Sequence, residues 1–241
     1  MPVQTRRSQD GGLAVRRDCP QAGAMGYASI FRPGLFDGQV VVVTGGGTGI
    51  GRCIAHEFSA LGAHVVLCGR RAEPLAQTAD EISAGGGEVS TWQLDIRDDE
   101  AVNRVVHEIV AMRGRIDVLV NNAGGQFIAG AEDIRAKGWR AVVDTNLNGT
   151  FWMSQAVFRA WQGEHGGSQV QIVADMWNGF PGAAHTGAAR AGVVNLTQTL
   201  AIEWASRGVR VNAVAPGGIL SSGLGRYPVD VQEMEIGRAH V

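Results

Sequence analysis

The sequence has 241 residues, of which 45% are hydrophobic and 18% are charged, and its formal net charge is −2. This length fits one large α/β domain. The small net charge excludes long-range attraction to nucleic acid or to an anionic membrane, and no apolar run approaches the ~20 residues of a membrane span. The three cysteines show neither disulfide nor metal-ligand spacing, which predicts reduced thiols in a cytoplasmic protein without a metal site. We therefore expect no nucleic-acid partner and no membrane partner.

Residues 1–34 form an extension ahead of the first predicted strand, and we expect it to be disordered at least as far as residue 24. The segment is polar, carries two arginine pairs and shows no hydrophobic periodicity, so it cannot bury a core. No apolar or acid-poor amphipathic stretch follows the arginine pairs, which argues against a targeting signal. An alternative is that Met25 is the native start of the protein.

From Gln39 onward, short apolar strands alternate with amphipathic helices. The pattern predicts strands at 39–43, 64–68, 89–94, 117–120, 169–173 and 209–214, and helices at 50–61, 73–84, 139–161 and 186–206. Asp98 is predicted to cap a further helix that ends at Met112. Repeated βαβ units of this kind predict a three-layer, doubly wound parallel sheet, which is the Rossmann fold.

A glycine-rich segment joins the first strand to the first helix, with the spacing G-x-x-x-G-x-G at Gly45, Gly49 and Gly51. The chain must turn sharply here, its backbone must approach a pyrophosphate, and the helix must pack close to the sheet. The helix N-terminus then presents free N–H groups to the anion. We therefore predict a dinucleotide site that includes Thr48 and Ile50. The alternative is a merely structural turn.

The second strand ends in Arg70 and Arg71, where NAD-binding sites usually carry an acid for the ribose diol. An arginine cannot accept from a 2′-hydroxyl, but it can bind a 2′-phosphate through charge-assisted hydrogen bonds. This favours NADP(H) as the cofactor, and the alternative is a solvated arginine pair. Asp95, near the end of the third strand, is a candidate for contact with the adenine amino group or a surface carboxylate.

Together with Asn121-Asn122-Ala123-Gly124 and Pro216-Gly217, the glycine segment resembles the motifs of the short-chain dehydrogenase/reductase superfamily. The resemblance covers residues 35–219 and implies an NADP-binding catalytic domain there. It implies that cofactor contacts also come from Ile96, Asn122, Ala123, Gly124, Pro216, Gly217 and Ile219. Superfamily members assemble through their two long helices, so a homotetramer or homodimer is implied as well.

The resemblance also bears on the end of the chain. Superfamily members continue well beyond this length, which implies a C-terminally truncated fold with residues 220–241 as a shortened substrate-loop segment. We further hypothesise that Glu235–Val241 is translated read-through of a sequencing adapter and therefore a non-native tail.

The catalytic positions depart from the usual superfamily pattern of Asn, Ser, Tyr and Lys. Asn146 matches the asparagine, but Thr186 stands at the tyrosine position, Arg190 at the lysine position and Val173 at the serine position. The segment His185–Val193, together with residues 124–127, 138–139 and 164–168, is similar to peroxisomal-type trans-2-enoyl-CoA reductases. This similarity implies NADPH-dependent reduction of the 2,3-double bond of a fatty enoyl-CoA, with a peroxisomal location if the source is eukaryotic.

The chemistry agrees with this implication. A ketone reduction needs a proton donor for the alkoxide, and neither threonine nor arginine can be tuned to that task. Hydride addition to an enoyl thioester makes a delocalised enolate, which needs hydrogen-bond donors at its oxygen. We assign donation to the thioester carbonyl to Thr186. Arg190 is predicted to bind the nicotinamide ribose and to keep the local electric field positive, and Asn146 to order the helix or a water. The alternatives are a helix cap for Thr186 and a surface ion pair for Arg190.

Lesser candidates complete the predicted site. Asp175 and His185 could donate a proton, with loop solvation or capping as the alternative. Phe127 and Trp177 could line an acyl channel or pack as core or lid residues. Two other functions stay open: a carbonyl or hydroxyl oxidoreductase of the 3-oxoacyl type, and a non-catalytic cofactor-binding homologue.

Overall fold

A computed structural model describes Tyr27, residues 29–217 and Ile219. The predictions made above for residues 1–26 and 220–241, including the disordered extension, the truncated loop segment and the non-native tail, lie outside the described residues.

Six parallel strands form one sheet in the order β3-β2-β1-β4-β5-β6. The strands are β1 (Val40–Thr44), β2 (His64–Gly69), β3 (Val89–Gln93), β4 (Val118–Asn121), β5 (Gly167–Ile172) and β6 (Val209–Val214). The order reverses between β1 and β4, and the carboxyl ends of these two strands therefore open a crevice. This arrangement confirms the predicted doubly wound Rossmann fold.

Helices cover both faces of the sheet. They are α1 (Gly49–Ala60), α2 (Ala72–Ala84), α3 (Asp99–Arg113), α4 (Ala136–Val143), α5 (Gly149–Val157), α6 (Gly163–His165) and α7 (Ala184–Trp204), with 3₁₀ turns at Ala131–Asp133 and Ala205–Arg207. No helix among the described residues is long and apolar enough to cross a membrane.

Successive side chains of β1 pack alternately into two separate hydrophobic cores, one on each face of the sheet. Val42 packs in a cluster with Val106 of α3 and Met153 of α5, whereas Val41 packs in a cluster with Leu75 of α2 on the opposite face. Successive side chains of a strand point to opposite faces, and a parallel sheet covered by helices buries both. The unbroken valine run of β1 is therefore a requirement of its central place in the sheet.

Local signals fixed several helix ends as predicted. The Asp98 carboxylate accepts a hydrogen bond from the Ala101 backbone N–H at 2.9 Å, which confirms Asp98 as the cap of α3. Helix α2 ends at Gly85, and the following Gly86 has φ +82°, a conformation that favours glycine.

The single long helix predicted for 139–161 is instead a helical stretch from Ala136 to His165 with two π segments, at Asp144–Asn148 and Phe158–Gln162. In the first segment and the helical turn after it, side chains bond to the carbonyl four residues back. The Asn146 amide donates to Val142 O at 2.9 Å, and the Thr150 hydroxyl donates to Asn146 O at 2.9 Å. Such bonds compete with the α-helical ladder, and π segments concentrate at functional sites.

Candidate functional site

A cleft of about 430 Å³ lies at the carboxyl ends of the strands. Twelve of the fifteen residues predicted to bind the cofactor line it: Gly45, Thr48, Gly49, Ile50, Arg70, Arg71, Asp95, Ile96, Asn122, Ala123, Gly124 and Pro216. The other three, Gly51, Gly217 and Ile219, lie outside its lining. The cleft also reaches Arg190 and Val173, so one groove joins the predicted cofactor site to the predicted lysine and serine positions.

The glycine segment forms a cradle that side chains would fill. Gly45 and Gly49 have φ of +67° and +54°. A Cβ on Gly51 would lie 2.3 Å from the Gly45 carbonyl oxygen, which explains the glycine although Gly51 does not line the cleft. Thr48 precedes α1 in extended conformation without a side-chain cap, and the first turn of α1 holds no acid. The N–H groups of that turn are therefore available to an anion, as a pyrophosphate requires.

A hydrogen-bonded strap holds the ends of β1 and β4 together. The Thr44 hydroxyl oxygen accepts from the backbone N–H groups of Asn122 and Ala123, each at 3.0 Å, and the Asn122 amide donates to Thr44 O at 2.9 Å. This strap fixes the glycine segment relative to the loop that follows β4. Sequence reasoning missed Thr44, although a threonine at the end of a buried valine run was the available signal.

At the end of the cleft next to β2 and β3, Arg70 and Arg71 are exposed. Asp95 is held by Arg97, whose Nε lies 2.9 Å from Oδ1 and 3.1 Å from Oδ2, while Nη2 also donates to Oδ2. The Arg97 hydrogen bonds lower the pKa of Asp95, against an opposing effect of burial, and Arg70 adds to the lowering. Sequence reasoning did not single out Arg97, for which the Asp-x-Arg spacing was the only signal.

At the other end of the cleft, Arg190 extends from α7 and is 9% exposed. Its Nη1 donates to the Ile172 carbonyl oxygen at 2.7 Å, and among the described residues no carboxylate lies within ion-pair distance. Burial lowers the pKa of Arg190 to about 10, so the side chain is still a cation at neutral pH. The alternative of a surface ion pair is therefore wrong.

Gly124 lets Arg190 and Asn146 approach the same point. A Cβ on Gly124 would lie 2.1 Å from Arg190 Nη2 and 2.7 Å from Asn146 Oδ1. The Asn146 amide donates to Gly125 O at 2.7 Å, and its oxygen accepts from the Gly125 N–H at 3.3 Å. Asn146, itself 1% exposed, thus ties the first π segment to the loop beside Arg190.

Thr186 is the third residue of α7, and Ala183 is the N-cap of that helix. The alternative that Thr186 caps the helix is therefore wrong. The Thr186 side chain is 1% exposed and does not line the cleft. Its hydroxyl oxygen is 3.3 Å from His185 Nδ1, and its backbone N–H donates to the same nitrogen at 2.8 Å. The structure therefore places Thr186 behind the cleft surface that Arg190 reaches.

His185 is fully buried, and its ring packs edge-to-face on Phe127 with centroids 4.4 Å apart. Burial lowers the pKa of His185, against the opposing effect of a hydrogen bond to the Ala183 backbone, so the neutral ring is favoured. Its Nδ1 accepts from Thr186 N–H, and its Nε2 has no partner in the described structure. Asp175 and Trp177 are exposed and lie on the loop between β5 and α7.

The usual Tyr and Lys cannot be supplied from elsewhere in the described structure. The sequence has two tyrosines, Tyr27 and Tyr227, and the only lysine is Lys137. Lys137 is exposed on α4, and Tyr27 bonds to Glu57 on α1. Neither residue lines the cleft. Arg190 is therefore the only cation at the end of the cleft next to Val173 among the described residues.

Comparison with known proteins agrees with this geometry. Residues 39–228 match the family model described as short chain dehydrogenase. A probable 2,4-dienoyl-CoA reductase [(2E)-enoyl-CoA-producing] of Bacillus subtilis (strain 168) is 43% identical over 188 residues, which are 77% of this chain and 74% of that protein. The peroxisomal 2,4-dienoyl-CoA reductase [(3E)-enoyl-CoA-producing] of Danio rerio is 37% identical over 80% of this chain; the match spans 65% of that protein, less than two thirds of its length.

Solved structures show the same relationship. The citronellol catabolism dehydrogenase of Pseudomonas aeruginosa PAO1 is 56% identical, with a TM-score of 0.77 over 79% of each chain. A putative NAD(P)-dependent gluconate 5-dehydrogenase of Beutenbergia cavernae, with bound NADP, is 38% identical, with a TM-score of 0.78 over 86% of this chain and 82% of that one. The chain therefore belongs to the short-chain dehydrogenase family of oxidoreductases, which use a nicotinamide cofactor.

Proposed function

We propose that this protein uses NADPH to reduce the 2,3-double bond of a fatty enoyl-CoA thioester. The observation that carries the proposal is the Arg190 guanidinium, a buried cation at one end of the cleft that pairs with no carboxylate in the described part of the chain. Among the residues that the structure describes, no tyrosine and no lysine lines that cleft. The site therefore favours stabilisation of negative charge over protonation of an alkoxide.

The cofactor, when bound, supplies a hydride. Addition of a hydride to the β-carbon of an enoyl thioester moves an electron pair onto the thioester oxygen. The resulting enolate then takes a proton from water at its α-carbon, which completes the reduction. A cation in a partly desolvated cleft stabilises such an oxyanion more strongly than the same cation in water. Arg190 is fixed in place by its bond to Ile172 O, so this stabilisation needs no rearrangement during the reaction.

Other residues hold and orient the reactants in this proposal. The glycine segment and α1 bind the pyrophosphate, and Arg70 and Arg71 bind the 2′-phosphate of NADPH. Asn146 holds the Gly124–Gly125 backbone in place beside Arg190. The direct donation from Thr186 to the thioester that we predicted would need its hydroxyl to leave His185, because that hydroxyl does not line the cleft.

The similar proteins of Bacillus subtilis and Danio rerio support this class of reaction, since both are named as 2,4-dienoyl-CoA reductases. A dienoyl thioester is an enoyl thioester extended by one conjugated double bond. Both substrates place the developing negative charge on the same thioester oxygen, so the role of Arg190 is the same for each.

A second candidate is reversible oxidation of an alcohol, which the 56% identical citronellol catabolism dehydrogenase favours. This reaction needs a base that removes the hydroxyl proton. The buried, neutral His185 could act as that base through Thr186, whose oxygen is 3.3 Å from His185 Nδ1. The long distance and the buried position of Thr186 make this the weaker proposal.

One assay separates the candidates. We would follow NADPH oxidation with crotonyl-CoA, a 2,4-dienoyl-CoA and acetoacetyl-CoA, and NADP⁺ reduction with citronellol. We expect turnover of crotonyl-CoA and none of the oxo substrate or the alcohol. Turnover of the dienoyl thioester without crotonyl-CoA would reject reduction at the 2,3-double bond and favour a dienoyl-CoA reductase. Turnover of acetoacetyl-CoA or citronellol alone would reject the proposal, and NADPH binding with no turnover at all would favour the non-catalytic homologue.

We also propose that the protein is a cytoplasmic homo-oligomer whose catalytic domain spans residues 35–219. The exposed Trp139 on α4 and Ile202 on α7 support the oligomer, because both lie on the long helical segments through which we expect subunits to pair. Light scattering of the purified protein would test the assembly, and a monomer would contradict it.

A further inference from the structure

The end of the cleft next to β2 and β3, where the adenosine part of the cofactor would bind, has more positive than negative side chains. Arg70, Arg71 and Asp95 line this end of the cleft, and Asp95 is the only acid among the described residues that line it. Arg97 bonds to Asp95, and the charge of Arg70 also lowers the pKa of the Asp95 carboxyl. The backbone of Arg70 is fixed by a hydrogen bond from the Gln93 side chain to Arg70 O at 2.9 Å. The end of β2 therefore lies beside the end of β3, with the Leu94 N–H bonded to Gly69 O at 2.9 Å.

Asp95 could in principle pair with Arg70 or with Arg97, because the charges of both lower the pKa of its carboxyl. The structure shows it paired with Arg97. Nε and Nη2 of Arg97 bond to the two carboxylate oxygens, and the Arg97 backbone N–H adds a bond to Oδ1 at 3.1 Å. The bidentate geometry is one that a lysine or a single hydrogen bond cannot reproduce.

The ion pair between Asp95 and Arg97 affects how a phosphate group could bind to Arg70 and Arg71. With Asp95 occupied by Arg97, no described carboxylate lies within ion-pair distance of Arg70 or Arg71. If Arg97 were absent, Asp95 would be free to pair with Arg70 and would also repel an incoming dianion.

We propose that Arg97 is a positioning residue for cofactor specificity: by holding Asp95, it leaves Arg70 and Arg71 available to the 2′-phosphate of NADPH. The inference rests on the proposed use of NADPH. Arg97 does not line the cleft and acts through the carboxylate that it neutralises. The charge of Asp144, on the first π segment, also favours the Arg97 cation and raises its pKa, although the bonds to Asp95 contribute most.

A double-mutant cycle with Asp95 tests the inference, with dissociation constants for NADPH and NADH measured by cofactor fluorescence on the full chain. We expect Arg97→Gln to weaken NADPH binding about three- to tenfold and to leave NADH binding unchanged. In an Asp95→Asn background, the same substitution should weaken NADPH binding less than about twofold, because no carboxylate is left to release. Arg97→Lys should give an intermediate loss.

Arg104→Gln is the matched control, because Arg104 is an exposed cation on α3 that does not line the cleft. An equal loss of NADPH affinity in both backgrounds would mean that Arg97 binds the phosphate directly and would overturn the inference. No loss in either background would overturn it as well, while leaving the use of NADPH intact. A parent protein that binds NADH more tightly than NADPH would instead reject the proposed cofactor together with this inference. Melting temperatures of the parent protein and of every variant, each measured without cofactor, control for misfolding.

Discussion

The two ends of the cleft differ in how they are built. The end formed by the glycine segment and the start of α1, called here the phosphate end, comes from consecutive parts of the chain, and the contacts that shape it are mostly backbone contacts. At the reaction end, Asn146, Gly124 and Arg190 come from three separate segments and meet through side chains. A site made by one local bend tolerates almost no substitution at that bend, whereas an assembled site can exchange a side chain and thereby change its chemistry.

The largest effect should follow a change at the phosphate end. Gly51→Ala places a Cβ 2.3 Å from the Gly45 carbonyl oxygen, so the bend must move. We expect NADPH affinity to fall by roughly 100-fold or more, with a loss of about 1–3 kcal/mol in the free energy of unfolding. Calorimetric titration and denaturant unfolding would measure both. Gly85→Ala is the control, because its nearest neighbour would lie at 3.4 Å; an equal loss of affinity there would contradict the comparison.

A change at the reaction end should separate catalysis from binding. We expect Arg190→Gln to lower kcat for enoyl-CoA reduction by about 10²- to 10³-fold, as removal of an oxyanion-stabilising group does. The dissociation constant of NADPH should rise less than about fivefold, because the pyrophosphate and 2′-phosphate contacts remain. Arg190→Lys, which keeps the charge, should retain more activity than Arg190→Gln. A kcat that does not change in Arg190→Gln would remove the observation on which the proposed reaction rests.

The pH dependence provides a second test of Arg190. Its folded-state pKa of about 10 lies below the ordinary value of 12.5, because burial disfavours the cation. The charge is therefore complete at neutral pH and is lost as pH rises through about 10. We expect kcat to fall across that range, if the fold persists there by circular dichroism, and the fall should be absent in the residual activity of Arg190→Gln.

A smaller effect is expected at the π segment. Asn146→Ala removes the amide that bonds to Gly125 O and Val142 O, and leaves both acceptors without that donor. We expect a loss of about 1–3 kcal/mol in the free energy of unfolding and a lower kcat with little change in NADPH affinity. Asn148→Ala is the matched control, since the Asn148 amide donates only to the Asp144 carboxylate at 2.9 Å. Equal effects of the two substitutions on kcat would argue against a special role for Asn146.

The smallest effect lies outside both ends. Asp98→Ala removes the cap of α3 and should cost about 1 kcal/mol of stability without changing either kcat or NADPH affinity. Asp99→Ala, one residue later in the first turn, should cost less, because Asp99 only complements the helix dipole. A change in cofactor affinity in Asp98→Ala would show that helix stability alone alters the cleft, and the other variants would then need reinterpretation.

The sequence by itself determined the fold and the phosphate end. The hydrophobic patterns of strands and helices repeat about every two to four residues, so they can be recognised in short stretches of sequence. The glycine segment and the Asp98 cap likewise depend only on residues that are close together in the chain. It also singled out Arg190 and Asn146 as candidate site residues, but it left open whether Arg190 was a surface ion pair. Only the tertiary structure shows that Arg190 is buried, that it bonds to Ile172 O of β5, and that no described carboxylate pairs with it.

Tertiary structure alone decided the remaining features. The π segments, the position of Thr186 behind the cleft surface, the Thr44 strap and the choice of Asp95 between Arg70 and Arg97 all depend on side chains brought together from distant segments. Such contacts depend on the close packing of a whole domain, and no local pattern encodes which of two nearby partners a side chain will take.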